Sequence, residues 1–430
     1  MGCAKNVVDS EKLMAQLKLN DVEITPLLDE ADIAVINTCG FIEAAKQESI
    51  DMIIENVRLK ASGRLKKVYA MGCLTERYMV DLQKEIPEVD RFFGSNEIPN
   101  ILKELGAEYK YELLGESRFA GLTTPKHFAY IKISEGCDNP CSFCAIPLMR
   151  GKHVGRSMEA IVDEAKRLAE QGVKELVVIG QDTTYYGLDT YGKRRLPDLL
   201  QKLADVDGIE WVRLMYAYPA KFPREVLDVI AGHPRICKYM DMPVQHISDA
   251  VLKSMRRGIS KRALRELIDE IRMRVPGIAL RTTLIVGYPN ESERDFQELL
   301  DFVNDVKFDR LGVFTYSLEE GTTAYDLADP IPQTEKDRRR DAIMEAQQTI
   351  SEEKNELLIN TTQRVLLDRI DDGVYVGRTE RDAPEIDNEV FVHTSRKLHV
   401  GEFVEVDIDD ASEYDLFGSV RGVQHVPATA

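Results

Sequence analysis

Three thiols, Cys137, Cys141 and Cys144, lie within the segment SEGCDNPCSFCAIP at 134–147, spaced C-x3-C-x2-C. A structural zinc site is closed by four ligands that commonly arrive in pairs. With no second pair elsewhere in the sequence, three close thiolates fit zinc poorly. A four-iron cluster has four corners, and cysteine thiolates are its usual ligands. Three cysteines leave one iron open to an outside ligand. Such an iron can chelate the amino and carboxylate groups of a small molecule.

Three more cysteines occupy one kind of place further upstream. Cys39 follows the strand-like run DIAVINT (32–38), and Cys73 follows KVYAMG (67–72). Cys3 directly precedes the helical stretch VVDSEKLMAQL (7–17), although no strand stands ahead of it in the sequence. In a parallel sheet the carboxyl ends of the strands share one edge, where ligands gather, so the three thiols are expected to meet there. The plain alternative is three unrelated core cysteines, since free cysteine is among the most buried residue types. Cys237, in an apolar run without partner spacing, reads as a buried core thiol.

The elements that position these thiols fall into an α/β chain of three units. Residues 1–118 alternate short strands with helices, including roughly Phe41–Lys60, Glu76–Glu85 and the strand VDRFFG (89–94), as a small doubly wound domain does. Residues 123–353 hold six strand candidates: FAYIKIS, ELVVIGQ, WVRLMYA, ICKYMDMPV, ALRTTLIVG and RLGVFTYS. Amphipathic helices lie between several of them, the clearest at 157–172 with Ser157 as N-cap and Gly172 at the C-cap. Six β–α units predict a partial parallel barrel, with chemistry at the carboxyl ends of its strands. The charged stretch 330–360 reads as a helical connector. From 355 to 424, runs such as RVLLDRI, VYVGRT, EVFVHT and EFVEVDID predict a small antiparallel β-barrel.

Composition narrows the setting. The 430 residues are 43% hydrophobic and 30% charged, with a net charge of −18. No run of 18 apolar residues is present, so no membrane span is expected. The start MGCAKNVVDSEKL lacks an apolar signal region, and Asn6 breaks the myristoylation pattern. A reducing, cytoplasmic setting follows, in which disulfides are rare. Residues 361–430 hold 15 Asp/Glu against 7 Lys/Arg. That end repels phosphate and suits a basic partner, or is simply a soluble acidic surface.

The C-x3-C-x2-C spacing, with Phe143 ahead of its last cysteine, resembles the signature of radical S-adenosylmethionine (SAM) enzymes. The resemblance implies a [4Fe-4S] cluster on Cys137, Cys141 and Cys144 whose open iron binds SAM, and an electron that splits SAM to give a 5′-deoxyadenosyl radical. A trio at Cys3, Cys39 and Cys73 ahead of such a core resembles the methylthiotransferases, which implies a second [4Fe-4S] cluster that holds sulfur. In that family the C-terminal barrel is of the TRAM type. GCAKNVVDSE (2–11) and RTERDAPEIDNEVF (378–391) resemble the branch that modifies an aspartate of a basic small-subunit ribosomal protein, rather than the branch that modifies tRNA adenosine. The implied partners are that protein, an electron-donating reductant and a sulfur donor, with no nucleic acid as direct substrate. A non-enzymatic iron–sulfur or RNA-binding scaffold is the remaining alternative.

By the same resemblance Gly180, Gln181 and Asp182 stand where the methionyl amino group of SAM binds, with a helix N-cap as the alternative role of Asp182. Arg281 would meet the SAM carboxylate or serve a structural role. Gln245 and His246 would line the pocket. Asn290, in the turn VGYPNESERDF, stands where glycine is commoner. The arginines of MRRG (255–258) would steer a substrate aspartate or cap a solvated helix.

Overall fold

The computed structural model describes residues 2–110 and 123–422. The expected domain limits at 118 and 424 fall outside them. The N-terminal unit runs α1 (Ala4–Lys18), β1 (Ile33–Thr38), α2 (Glu43–Ala61), β2 (Lys67–Gly72), α3 (Cys73–Glu85), β3 (Arg91–Phe93) and α4 (Ile98–Glu104). Its strands are parallel in the order β1-β2-β3. Side chains alternate across a strand, so each face needs its own cover. Tyr69, Met71 and Phe93 pack with Leu13, Leu17 and Ile101 of α1 and α4. Val68, Ala70 and Phe92 pack with Ile53, Leu74 and Leu82 of α2 and α3. This is the doubly covered sheet expected from the sequence.

The core unit begins with β4 (Phe128–Lys132), followed by a two-stranded antiparallel hairpin of β5 (Ser134–Glu135) and β6 (Val154–Gly155). The cysteine segment is the loop of that hairpin. Then come β7 (Glu175–Ile179), β8 (Trp211–Leu214), β9 (Ile236–Asp241), β10 (Ala279–Val286) and β11 (Arg310–Thr315). Six parallel strands in the order β11-β10-β9-β8-β7-β4 form the open barrel that six β–α units predict. Its outer face buries Ile131, Val178, Leu214 and Leu280 under helices such as Met158–Glu170 and Lys261–Arg274. Ser157 caps the first of these by accepting a hydrogen bond from Ala160 N at 3.3 Å, and Gly172 follows its end at φ +97°.

Helix Gln333–Glu356 is not a free connector. It lies along β11 and puts Ile343 and Ile350 into the main core. Lys336, Arg339, Gln347 and Asn355 are also buried on it, and such a face does not read as apolar in the sequence.

The C-terminal barrel contains β12 (Thr362–Asp371), β13 (Val374–Arg378), β14 (Val390–His393), β15 (Phe403–Ala411) and β16 (Leu416–Val420), closed in the order β12-β13-β14-β16-β15. It departs from the expected antiparallel barrel in two ways. A fifth strand, β16, closes it, and β16 pairs with β14 in parallel, so the barrel is mixed.

The segment between β13 and β14 leaves the barrel and wedges into the inner face of the core sheet. Asp382 is bonded by Arg310 through both Nε (2.9 Å) and Nη2 (2.5 Å). Asp387 accepts from Tyr239 Oη at 2.7 Å and Arg281 Nε at 3.3 Å. Buried Arg213 donates to Glu175 at 2.7 Å and to the Glu380 carbonyl at 2.7 Å. The DAPEID run thus spends acidic charge inside the protein, at the amino-terminal half of the sheet. Asp371, Asp372, Glu385, Glu405, Asp409 and Asp410 remain exposed.

Candidate active site

The N-terminal thiols meet at one edge, where two glycines permit close approach. Gly72, at φ +110°, ends β2 so that Cys73 opens α3; a Cβ on it would lie 2.6 Å from Asn37 Oδ1 and from the Thr38 carbonyl. A Cβ on Gly40 would lie 2.8 Å from the Leu74 backbone. The Cys39 amide donates to Ser49 Oγ at 2.9 Å, which fixes the turn after β1. Cys3 is the N-cap of α1, and a Cβ on its neighbour Gly2 would stand 3.2 Å from Cys39 Cβ. Cys39 and Cys73 are buried and Cys3 is exposed. Burial pushes the Cys73 thiol up to about 11, with Arg150 opposing the shift and Cys3 and Cys39 adding to it. The three thiols therefore share one electrostatic neighbourhood.

The loop of the core triplet is pinned by its backbone. Ser142 N donates to the Met255 carbonyl at 3.0 Å, Ala324 N donates to the Ser142 carbonyl at 2.8 Å, and Cys137 N donates to the Gly151 carbonyl at 3.2 Å. Cys137, Cys141 and Cys144 are half-buried. Burial pushes Cys137 up to about 11 and Cys144 up to about 12, and Cys141 adds to both. Metal coordination removes the proton from such a thiol outright. Arg257 Nη1 donates to Cys141 Sγ at 3.3 Å, and Tyr218 Oη lies 3.7 Å from the same sulfur.

Among the described residues no three His, Cys, Asp or Glu side chains converge tightly enough to ligate one metal ion. A four-iron cube takes one thiolate on each of several irons, so a cysteine triplet could hold three of its corners.

The two triplets share a wall. The short helix Ile146–Arg150 starts two residues after Cys144, and its Met149 packs with Ala145 against Cys73. From the end of that helix Arg150 Nε donates to Cys73 Sγ at 3.1 Å. On the far side, Arg77 of α3 and Lys46 of α2 hold Glu319, beyond β11, at 2.6 and 2.8 Å. Both contacts reach core loops beyond the carboxyl ends of the strands, so the N-terminal unit sits over the mouth of the open barrel.

Several buried polar atoms at this mouth have no partner: Ser134 Oγ, Gln181 Oε1 and Gln245 Oε1. Buried polar groups are paired with few exceptions, and each exception asks for a missing partner. Gln181 and Gln245 follow β7 and β9, and Gln245 holds φ +71°, a strained geometry for glutamine. Their amide oxygens suit an ammonium donor. Gly180 packs closely, since a Cβ on it would lie 2.9 Å from Ser134 Oγ. Phe143 packs beside Met255, Tyr288 and Tyr316.

Asp182, Arg281, His246 and Arg257 each have partners within the protein. Asp182 is an N-cap: Oδ1 accepts from Thr184 N (2.9 Å) and Oγ1 (2.7 Å), and Oδ2 accepts from Asn139 at 2.8 Å. It steadies the cysteine loop instead of offering a free carboxylate. Arg281 lies in the amino-terminal half of β10, committed to Asp241 at 2.9 Å and to Asp387 of the wedge. His246 is fully buried, with Nδ1 accepting from Ser248 N at 3.0 Å and Nε2 3.7 Å from Glu291 Oε2. Of the MRRG arginines, Arg256 is exposed just past a helix end, as the solvated alternative expects, and Arg257 is buried against Cys141. Asn290 has no left-handed backbone, so its turn makes no demand for glycine. Cys237 is a core thiol of the inner face, as expected. Sequence reasoning missed Arg150, whose only signal was its place six residues after Cys144.

Residues 131–303 match the Radical SAM superfamily, residues 1–94 match the uncharacterized protein family UPF0004, and residues 359–420 match the TRAM domain. A protein of Cytophaga hutchinsonii named ribosomal protein uS12 methylthiotransferase RimO is 55% identical to this chain, over 98% of this chain and 96% of its own. Proteins of the same name from Chloroherpeton thalassium and Flavobacterium johnsoniae are each 53% identical, over 98% and 97% of this chain and 97% and 96% of their own. Among solved structures, the radical SAM methyltransferase TsrM of Kitasatospora setae superposes with a TM-score of 0.53 at 15% identity. That match covers 74% of this chain and 73% of TsrM, and it speaks for the fold alone.

Proposed function

The chain belongs to the RimO family of radical SAM methylthiotransferases, and from that premise we propose that it replaces a C–H bond at the β-carbon of an aspartate in ribosomal protein uS12 with C–S–CH3. Two four-iron clusters are held, one on Cys137, Cys141 and Cys144 and one on Cys3, Cys39 and Cys73. When bound, the first would supply the electron that cleaves one SAM to methionine and a 5′-deoxyadenosyl radical, which takes the hydrogen, and the second would supply the sulfur, with a second SAM as the methyl donor. The target C–H bond is unactivated, so no side-chain base removes its proton at neutral pH, and radical chemistry is required.

The chain's own groups bind and orient. Gln181 and Gln245 offer their unpartnered oxygens to the SAM ammonium at the mouth, beside Gly180 and Phe143. Asp182 and Asn139 hold the cysteine loop in register with β7. Arg257 and Tyr218 contact the Cys141 sulfur and exclude water from it. A reductant and a sulfur donor complete the reaction, which takes place in the cytoplasm with the ribosomal protein.

The observation that carries this reading is the shared wall: one five-residue helix has Cys144 just ahead of it and Cys73 packed against it. A site that makes a radical and a site that donates sulfur must serve one substrate atom. The exposed carboxylates of the C-terminal barrel favour a basic protein over a phosphate backbone. The test presents uS12 and tRNA side by side under reducing, anaerobic conditions and follows methylthiolation by mass spectrometry. Modified uS12 with unmodified tRNA is expected. Modified tRNA adenosine with unmodified uS12 would replace this assignment, and no SAM turnover at all would leave only a scaffold.

A further inference from the structure

Arg150 ends the shared helix and is buried, only 5% exposed. Besides Cys73 Sγ, it donates from Nη2 to Asn6 Oδ1 at 2.6 Å and from Nη1 to Asp9 Oδ2 at 2.6 Å, with Glu135 Oε2 at 3.4 Å. Asn6 and Asp9 lie in the first turns of α1, whose N-cap is Cys3. Asn6 Nδ2 in turn donates to the carbonyl of Thr38, the residue before Cys39, at 3.1 Å. One guanidinium therefore reaches Cys73 directly, Cys3 through α1, and Cys39 through Asn6 and Thr38. It does so from the other domain.

We propose that Arg150 is the positioning residue that assembles the N-terminal cysteine triplet and sets the electron affinity of the cluster it holds, so that the sulfur-donating centre is complete only when the N-terminal domain is docked on the radical core. This rests on the two-cluster reading above. A charge-assisted donor on a thiolate is stronger than a neutral one. Positive charge and a hydrogen bond at a ligand sulfur favour the electron-rich, reduced cluster, so the midpoint potential rises. Lysine keeps the charge but lacks the planar fork that serves four acceptors at once.

The test uses the full chain with Cys137, Cys141 and Cys144 all changed to alanine, which leaves only the N-terminal cluster. Arg150, Arg150→Lys and Arg150→Met versions are reconstituted anaerobically. Midpoint potential, the electron paramagnetic resonance of the reduced cluster and iron release to a chelator are measured, with thermal unfolding alongside. Arg150→Met should shift the potential negative, alter the spectrum and weaken iron retention by about 10–100-fold. Arg150→Lys should restore part of the potential but not the retention. Should Arg150→Met unfold, Arg150→Gln removes the charge while Lys132 still pairs with Asp9, and it carries the same expectation. Unchanged potential, spectrum and retention in these variants would overturn the role of Arg150 and leave the two clusters standing. No cluster in the parent with Arg150 intact would overturn the two-cluster reading itself, and this inference with it.

Discussion

At the amino-terminal half of the core sheet Arg213, Arg281 and Arg310 each meet a carboxylate, two of them on the wedge of the C-terminal barrel. At the carboxyl ends of the same strands Ser134, Gln181 and Gln245 carry buried oxygens with no partner, and two sets of three thiols stand nearby. The first end is an interface whose charges answer one another. The second is arranged around something the polypeptide does not itself contain. The contrast also corrects the meaning of acidity. The acidic region 361–430 reads as suited to a basic partner, yet Asp382 and Asp387 within it are spent on Arg310 and Arg281.

The largest effects are expected at the mouth. Alanine at Cys137, Cys141 or Cys144 should abolish formation of 5′-deoxyadenosine from SAM, measured by chromatography, while the fold persists. Alanine at Cys39 or Cys73 should spare SAM cleavage but stop methylthiolation of uS12, read by mass spectrometry.

The base should answer in stability, not chemistry. Glu175→Ala removes the carboxylate that buried Arg213 and Arg378 share, and should cost about 3–5 kcal/mol in denaturant unfolding. The folded fraction should still cleave SAM.

A smaller effect concerns acid. Burial lowers the His246 pKa from 6.5 to about 3; Asp295 pulls it up and Arg339 pushes it further down, with Glu291 Oε2 3.7 Å away. The unfolded chain takes up a proton below about 6.5 that the folded chain refuses until about 3, so stability falls as pH drops through that window. His246→Asn should flatten the fall, seen as a shallower decline of melting temperature. Smallest is Ser157→Ala, which removes one N-cap from a surface helix and should cost about 1 kcal/mol.

The strands of the core and N-terminal units were legible because each is a short apolar run bounded by turn residues. The positions of Cys39 and Cys73 followed from the strands they end. What stayed hidden depends on contacts distant in sequence. Leu416–Val420 is recognisable as a strand only once β14 offers it a parallel partner. Helix Gln333–Glu356 buries Lys336 and Arg339 against Asp329 and Glu291, so its inward face carries charge and mimics a connector. Arg281 has the residue type to bind a carboxylate, but its carboxylates come from β9 and from a segment over a hundred residues away. Arg150 is meaningful only when α1 and α3 stand against it.

Two separate clusters, each on three cysteines, make a countable difference in metal content. Iron and acid-labile sulfide are counted after anaerobic reconstitution, for the intact protein and for the variant with Cys137, Cys141 and Cys144 all changed to alanine. About eight irons per chain, falling to about four in the variant, is the predicted result. About four falling to none would contradict it and leave Cys3, Cys39 and Cys73 without a cluster to hold.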